Sequence, residues 1–338
     1  MKMIASWLFA LAGLFMGCLA CAGAIDAGRL ATVDDHTLAA TAQSEVTILS
    51  LAQYLGAGAS SDVEKARAVY RWVADRIAYD AKSFFNQTHS SVDPDAVLQS
   101  RLAICGGYAA LFERLAKESG LEATTIFGYA KGIAHIPGSS MAEPNHAWNA
   151  VKIDGKWQLI DTTWGSGYIS DGAWVKQFSE TFFLPSPEQL AFSHFPQDAA
   201  WQLRSERSLS KTEFESLPEI NTAFFNLGID PSDVWKTVKS QEFKGALVHT
   251  FDLPAGVAKV RNAPLSYQLP VGSTQHFEIM SASFEKMAVE YNKKWLPMQK
   301  KGDVFSIEIA AKSKGELSVN GKTPTSRKHA TVLEYIVD

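Results

Sequence analysis

The segment most informative about the fold reads His146-Ala-Trp-Asn-Ala-Val-Lys-Ile-Asp-Gly-Lys-Trp-Gln-Leu-Ile-Asp161. Two strand-like runs flank Asp154-Gly155, a dipeptide typical of the two-residue turn of a β-hairpin. The sequence therefore predicts two antiparallel strands that begin with a histidine and end near an aspartate.

The register of this hairpin decides which polar side chains meet. A two-residue turn places Asp161 opposite Trp148 and His146 opposite Thr163, and residues two apart on a strand share a face. His146 and Asp161 are then diagonal neighbours, with backbones roughly 7–8 Å apart, within reach of a hydrogen bond. Asn149 has the opposite parity and is expected to face away. A three-residue turn would reverse this assignment.

Upstream, Arg101-Leu-Ala-Ile-Cys-Gly-Gly-Tyr108 leads into an apolar stripe over residues 109–119, and Gly120 follows as a natural stop. This pattern predicts a helix with Cys105 at or just before its first turn. Free backbone N–H groups and the positive end of the dipole favour a thiolate there and could receive an oxyanion. The alternative is a small buried residue at a helix start.

Residues 1–24 have the pattern of an export signal, with Lys2 as the only charge, an apolar run and a small-residue tail. We expect cleavage after Ala22 or Ala24 and a periplasmic or secreted protein. The alternatives are an uncleaved membrane anchor or a lipid on Cys18 or Cys21.

Cysteine usage adds a constraint, because the chain has three cysteines and two of them lie within the predicted signal. Cleavage leaves Cys105 alone, so no intramolecular disulfide can form. A single thiol in an exported protein is either buried and inert or kept for its reactivity.

A thiolate nucleophile needs a proton carrier and a group that orients it. Most of the eight histidines lie in polar or loop-like sequence and are expected to be solvated: 36, 89, 135, 194, 249, 276 and 329. By itself His146 could be a core histidine and Asp161 a backbone cap. Their shared face downstream of Cys105 instead predicts a triad for thiol acyl transfer, with His146 as base and acid and Asp161 as the orienting carboxylate.

Four blocks together resemble the transglutaminase-like superfamily, and they cover about residues 60–170. They are listed here in chain order: Tyr70-Arg-Trp-Val-Ala-Asp-Arg-Ile-Ala-Tyr-Asp80, Cys105-Gly-Gly-Tyr108, His146-Ala-Trp-Asn149 and Asp161-Thr-Thr-Trp164. The nearest branch includes kyphoscoliosis peptidase and many exported bacterial proteins. The resemblance implies a papain-like α+β core, with the nucleophile helix against an antiparallel sheet, and Cys105, His146 and Asp161 as its triad.

Within this superfamily the reaction stays open between amide hydrolysis, which we favour, and transfer to an amine. A non-catalytic scaffold or binding protein is the third possibility. Tyr79 is a weak candidate for the aromatic oxyanion donor that transglutaminases supply upstream of the cysteine. The paired zinc cysteines of peptide N-glycanases and a calcium loop of the EF-hand type are both missing from the sequence, so we expect no metal and no cofactor.

Outside these blocks the sequence predicts a helix over about 62–78, a loop over 79–91 and a polar lead-in with weak helical pattern before residue 60. Period-two runs near 276–280, 287–291, 305–309 and 331–337 predict an immunoglobulin-like β-sandwich. The predicted divisions are a catalytic domain at 25–205, a linker at 206–240 and the sandwich at 241–338.

The 338 residues carry a formal net charge of −4, so no global basic field favours nucleic acid. The expected partner is a protein or peptide substrate, such as a cell-wall peptide, and no membrane span is expected in the mature chain.

Overall fold

A computed structural model describes residues 27–338, except residues 89, 134, 137, 221–223, 252, 254 and 255. The predicted export signal, with Cys18 and Cys21, lies outside the described residues. The described residues combine helices with mainly antiparallel sheets, and this confirms the α+β fold class with a sheet-rich C-terminal region.

The helices lie mainly in the first two thirds of the chain. They are α1 (Ala27–Leu38), α2 (Ile48–Ala57), α3 (Asp62–Arg76), α4 (Ala81–Asn86), α5 (Pro94–Ser100), α6 (Cys105–Glu118), α7 (Thr162–Ser166), α8 (Pro187–Leu190), α9 (Lys211–Ser216) and α10 (Pro231–Lys239), with 3-10 helices at Glu180–Phe182, Ala199–Gln202 and Phe224–Leu227. Among the described residues, no helix combines the length and the apolar character needed to cross a membrane.

The strands form five sheets. They are β1 (Ala78–Tyr79), β2 (Leu102–Ala103), β3 (Ala123–Ala130), β4 (His146–Ile153), β5 (Lys156–Ile160), β6 (Gly167–Ser170), β7 (Ala173–Lys176), β8 (His194–Pro196), β9 (His249–Thr250), β10 (Lys259–Asn262), β11 (Gln268–Leu269), β12 (Thr274–Met280), β13 (Lys286–Tyr291), β14 (Lys294–Pro297), β15 (Gln299–Lys301), β16 (Val304–Ala310), β17 (Gly315–Lys322) and β18 (Ala330–Val337).

The predicted hairpin is strands β4 and β5, joined by Asp154-Gly155. Both turn residues have positive φ, 48° and 79°, as a type I′ turn requires, and glycine adopts such a φ without steric cost. Asn149 pairs with Ile160, which is the predicted register. In the sheet order β5-β4-β3-β8, strand β4 is one of the two inner strands, and it begins with His146.

Helices α3 and α6 pack against this sheet and against each other. Ser61 caps α3 by accepting a hydrogen bond from the backbone N–H of Glu64, as the sequence pattern predicts. Helix α3 ends at Arg76, two residues before the predicted end. Trp72, Phe112 and Trp148 are fully buried in the core that these elements share.

Two segments predicted as largely irregular contain regular structure. In the lead-in, α2 has a capping box at Thr47 and buries Ile48, Leu51 and Leu55, so its apolar stripe is stronger than the polar surroundings suggest. The predicted loop at 79–91 contains the end of β1 and all of α4. Helix α4 has only six residues, too few for a helical period to be visible.

The segment predicted as a linker, 206–240, contains α9, a 3-10 helix and α10. Its buried aromatic residues Phe214, Phe224 and Trp235 belong to the same apolar cluster as the core of the C-terminal sheets. The segment is therefore packed, although each helix is short. The domain divisions at 205 and 240 stay predictions.

The C-terminal region consists mainly of two sheets, which are antiparallel except for the parallel pairing of β11 with β18. One has the order β10-β12-β16-β15, and the other has the order β11-β18-β17-β13-β14, with β9 beside β18. The four runs predicted from period two correspond to β12, β13, β16 and β18. Their inward side chains, including Phe277, Phe305 and Tyr335, fill the shared core, as expected for a β-sandwich.

Candidate active site

Cys105 is the first residue of α6. The preceding Ile104 has extended backbone and makes no side-chain capping bond, so no side chain of the N-cap occupies the N–H groups of the first turn. The N–H of Gly107 donates to the carbonyl of Ile104 at 2.9 Å. The close packing of this turn depends on Gly107, because a Cβ there would lie 2.7 Å from both the Cβ of Ala103 and the carbonyl oxygen of Ser91. Cys105 is half-buried and has a free thiol.

Tyr79 lies beside this turn because β1 and β2 pair in parallel. The N–H of Asp80 donates to the carbonyl of Ala103 at 2.9 Å, two residues before Cys105. Burial raises the pKa of the Tyr79 hydroxyl, and the neighbouring Cys105 charge raises it further. Tyr79 therefore stays a neutral hydrogen-bond donor at all ordinary pH values.

His146 and Asp161 are in direct contact, with 2.8 Å between Nε2 of the imidazole and Oδ2 of the carboxylate. Asn149 faces away, as predicted, and its amide donates to the carbonyl of Ala109. The diagonal relation derived from the hairpin thus agrees with the structure. The residues brought together here are two members of the predicted triad.

Asp161 differs from the prediction in its backbone role. The strand ends at Ile160, and Asp161 is the N-cap of α7, so Thr163 lies in a helix and not opposite His146. Oδ1 of Asp161 accepts from the backbone N–H groups of Thr163 and Trp164 at 2.8 and 3.0 Å. The cap fixes one carboxylate oxygen and leaves Oδ2 for the imidazole.

Burial and charge set the ionisation of this pair. Burial alone would raise the pKa of Asp161, but the charge and hydrogen bond of His146, with a bond from His194, hold that pKa well below its usual range. Burial alone would lower the pKa of His146, but Asp161 and the Cys105 thiol raise it to about 10. The imidazole is therefore cationic at neutral pH.

The thiol responds in the opposite direction. Burial by itself raises the pKa of Cys105, but a hydrogen bond and the positive charge of His146 outweigh it and bring the pKa below its usual value. The backbone N–H of Ala147 contributes a further hydrogen bond to the sulfur. Since Nε2 of His146 is engaged with Asp161, Nδ1 is the nitrogen that faces Cys105. The arrangement favours a thiolate–imidazolium pair.

His194 is the residue that the sequence did not reveal. It was expected to be solvated, yet only 1% of its side chain is exposed. Its Nε2 lies 3.0 Å from Oδ2 of Asp161, the oxygen that His146 also contacts. The flanking Phe192 and Phe195 are a signal that this stretch is buried, but only the pairing of β8 with β3 brings His194 to Asp161.

His146, Asp161 and His194 could together offer ligand atoms to a metal ion, because these atoms lie within 4.8 Å of one another. The two nitrogens, however, contact the same carboxylate oxygen at 2.8 and 3.0 Å, which are ordinary lengths for direct N–H···O hydrogen bonds. A hydrogen-bonded network accounts for the contacts.

A half-buried cysteine at a helix start, against an antiparallel sheet that carries the histidine, is the arrangement expected of a papain-like α+β core. Residues 49–162 match the family described as the transglutaminase-like superfamily, and this segment of the chain resembles that superfamily. The predicted resemblance is confirmed.

The chain is similar to kyphoscoliosis peptidase of Mus musculus, with 28% identity over 86% of this chain and 41% of that protein. The Homo sapiens kyphoscoliosis peptidase is 29% identical over 69% of this chain and 34% of its own length. The match therefore spans less than half of these relatives. A solved structure, "Crystal structure of a TGase", is 22% identical over 48% of this chain and 38% of that chain, with a TM-score of 0.28.

Proposed function

We propose that this protein is an exported cysteine enzyme that acts on amide bonds through a thioester acyl-enzyme, most simply as a peptidase or amidohydrolase. The observation that carries the proposal is the chain of contacts from the Cys105 thiol through His146 to Asp161. The match of residues 49–162 to the transglutaminase-like superfamily and the name of the peptidase relatives support it. Export rests on the sequence of residues 1–24.

In the first half-reaction the Cys105 thiolate attacks the carbonyl carbon of the amide. The negative charge that develops on the carbonyl oxygen would be met by free N–H groups at the start of α6, and Tyr79 is a neutral hydroxyl donor close by. His146 then gives its Nδ1 proton to the leaving amine while the C–N bond breaks, so a thioester and a neutral imidazole remain.

In the second half-reaction His146 takes a proton from the acceptor, which attacks the thioester carbonyl. The C–S bond breaks, and the sulfur leaves as the thiolate beside the cationic imidazole. Water as acceptor gives a carboxylic acid, and a primary amine gives a new amide by the same steps. Asp161 holds the Nε2–H tautomer and stabilises the imidazolium throughout.

The test is the rate at which iodoacetamide alkylates Cys105 between pH 4 and 9. We expect alkylation well below pH 7 in the wild type and loss of this acid-side reaction in His146→Ala. Lys152→Ala, a change at a half-buried position near the other end of the same strand, is the control and should behave like the wild type. A wild-type rate that rises only near pH ~8.5, the ordinary thiol pKa, would contradict the proposal.

An assay of turnover shows whether water or a primary amine accepts the acyl group. Denatured casein is incubated with the protein and with a fluorescent primary amine, and new amino termini, released ammonia and amine incorporation are measured in parallel. New amino termini or released ammonia without incorporation indicate hydrolysis, and incorporation indicates transfer. Both activities should vanish in Cys105→Ala. A protein that shows the low-pH alkylation but no turnover on any amide would favour the scaffold alternative.

A further inference from the structure

We propose that His194 is a positioning residue: its Nε2–H holds the Asp161 carboxylate in the orientation that lets Oδ2 accept a hydrogen bond from His146. The kinetic part of this inference rests on the proposed function, and the part that concerns protonation and geometry does not. His194 touches neither Cys105 nor a substrate, and acts only through Asp161.

Both ring nitrogens of His194 have partners. Nε2 lies 3.0 Å from Oδ2 of Asp161, and Nδ1 lies 2.8 Å from the hydroxyl oxygen of Ser193. An ionised carboxylate can only accept, so the proton of the neutral ring must be on Nε2. Nδ1 is then an acceptor for the Ser193 hydroxyl. The contacts specify one tautomer.

Charge favours the neutral form of this ring. Burial lowers the pKa of His194, although its hydrogen bond to Asp161 acts in the opposite direction and the charge of His146 adds to the lowering. A second imidazolium would place two like charges on one carboxylate oxygen, with ring centroids 5.2 Å apart. His194 therefore donates without adding charge to the site.

The surroundings hold the ring in place. Its centroid lies 5.0 Å from that of Trp148 and 4.6 Å from that of Trp164, both edge to face. Its backbone is held by the pairing of His194 with Ala130. A donor that cannot rotate is what a positioning role requires.

Asp161 needs such a donor because the torsion of a carboxylate about its last bond is broad and roughly two-fold. The backbone N–H groups of Thr163 and Trp164 hold Oδ1, and His194 adds a donor at the other oxygen of the same planar group. His146 is cationic before the leaving amine is protonated and neutral afterwards, so its own bond to Oδ2 varies in strength during the cycle. The His194 bond does not vary, and it keeps Oδ2 in place.

The first experiment reads protonation without catalysis. In protein labelled with ¹⁵N-histidine, two-bond ¹H–¹⁵N spectra assigned through His194→Phe should show His194 as the neutral Nε2–H tautomer between pH 5 and 9. An Nδ1–H tautomer or an imidazolium in that range would overturn the inference. Since this spectrum needs no turnover, it gives the same answer whether or not the proposed function holds.

The second experiment compares three variants. His194→Phe keeps an aromatic ring and removes both hydrogen bonds, His194→Gln restores an amide donor near the Nε2 position, and His135→Phe is the matched control. The side chain of His135 is also buried, and its Nε2 lies 3.3 Å from a carboxylate oxygen. That carboxylate is Glu219, not Asp161. All are measured for kcat, KM, the pH midpoint of Cys105 alkylation and thermal midpoint.

For His194→Phe we expect kcat to fall about 10–100-fold, as small displacements of catalytic groups do. KM should stay within about twofold, and the alkylation midpoint should move to higher pH. His194→Gln should restore most of kcat and reverse most of the shift in the alkylation midpoint. Equal effects in His194→Phe and His135→Phe, or no recovery in His194→Gln with an unchanged alkylation midpoint, would assign His194 a structural role only. If the wild type itself lacks acid-side alkylation, the proposed function fails and the spectrum alone decides on His194.

Discussion

The region around Cys105 and the C-terminal sandwich bury different kinds of polar side chain. Among the described residues up to 240, the buried polar set includes five ionisable groups: Glu64, Arg67, His146, Asp161 and His194. Among the described residues of the sandwich, the buried polar side chains are Thr250, Ser281 and Asn320, and none of them titrates in the ordinary range. The sandwich buries apolar area almost exclusively.

The difference teaches where each region derives its stability and its chemistry. Buried charges are costly unless they are paired and hydrogen-bonded, so the first region holds them in networks that can perturb pKa values. The described residues of the sandwich carry no such cost. Substitutions that act on one region should therefore leave the characteristic measurement of the other unchanged.

The largest effect is expected for Asp161→Asn. This change removes the charge that orients His146 and should lower kcat by about 10³–10⁴-fold, the size of effect that loss of a triad aspartate has elsewhere. The measurement is turnover on the substrate identified with casein. Asp230→Asn is the control, because Asp230 is likewise a helix N-cap but lies far along the chain in the cap of α10. If both variants lost kcat to a similar extent, the effect of Asp161→Asn would come from the lost helix cap and not from catalysis.

In the sandwich, Phe277→Ala should give the largest loss of stability. Phe277 is fully buried, with its ring 5.6 Å from that of Tyr335, and loss of a buried phenylalanine costs about 3–5 kcal/mol. Denaturant unfolding measures the loss. The pH profile of Cys105 alkylation in the folded variant should match that of the wild type. A shifted profile would show that the two regions are coupled and would break the comparison.

Arg67 tests the cost of a buried charge in the first region. Its side chain is 2% exposed and bonds to Asp34 at 2.6–2.7 Å and to Glu180 at 2.5–2.6 Å. Arg67→Met leaves the Asp34 carboxylate without this partner and should cost about 3 kcal/mol in the free energy of unfolding. Restoration of wild-type stability in the double variant Arg67→Met with Asp34→Asn would show that the unpaired charge, not lost packing, is responsible.

A smaller effect is expected from pH. His146 has a raised pKa of about 10, so its stabilisation is present below the unfolded pKa of ~6.5 and is lost as pH rises through about 10. Cys105 has a lowered pKa, so its contribution is present above the unfolded pKa of ~8.5 and is lost as pH falls through the folded pKa. Below pH ~8.5 the two contributions oppose each other wherever Cys105 of the folded protein is already ionised.

The contribution of His146 should therefore fall from pH ~8.5 to ~10, by up to about 1.4 kcal/mol per pH unit. Burial lowers the pKa of Lys131 to about 8, and this acts in the opposite direction over the same range, so the His146 slope is the difference between the wild type and His146→Gln. Denaturant unfolding at several pH values measures this slope. His146→Gln should remove it. His249→Gln, which changes an exposed histidine of the sandwich, should keep it. A slope that survives in His146→Gln would assign the pH dependence to other groups.

Local signals explain what the sequence could predict. The Asp154-Gly155 turn fixes the register of the hairpin, and the alternation along β4 then decides that His146, not Asn149, faces Asp161. The start of α6 at Cys105 follows from an apolar stripe within one helix. Such features involve neighbours in the sequence and need no knowledge of the rest of the fold.

Long-range contacts explain what the sequence could not. His194 lies 33 residues after Asp161 and reaches it only because β8 joins the far side of β3. Phe214 and Trp235 lie in short helices with too few turns for a visible period, and their burial depends on the sandwich core. The end of β5 at Ile160 depends on the capping bonds of Asp161, which compete with continuation of the strand.

The two-residue turn at Asp154-Gly155 has a consequence for how this sequence can change in length. The turn lies at the far end of the hairpin from the histidine, yet it sets which residue of β5 stands beside each residue of β4. With one residue inserted here, the two strands could still pair, but their register would shift by one residue. The aspartate would then no longer lie beside the imidazole. The long loop between β3 and β4 does not set the register of those strands, so changes in its length should be tolerated. Changes in the length of the two-residue turn should be selected against.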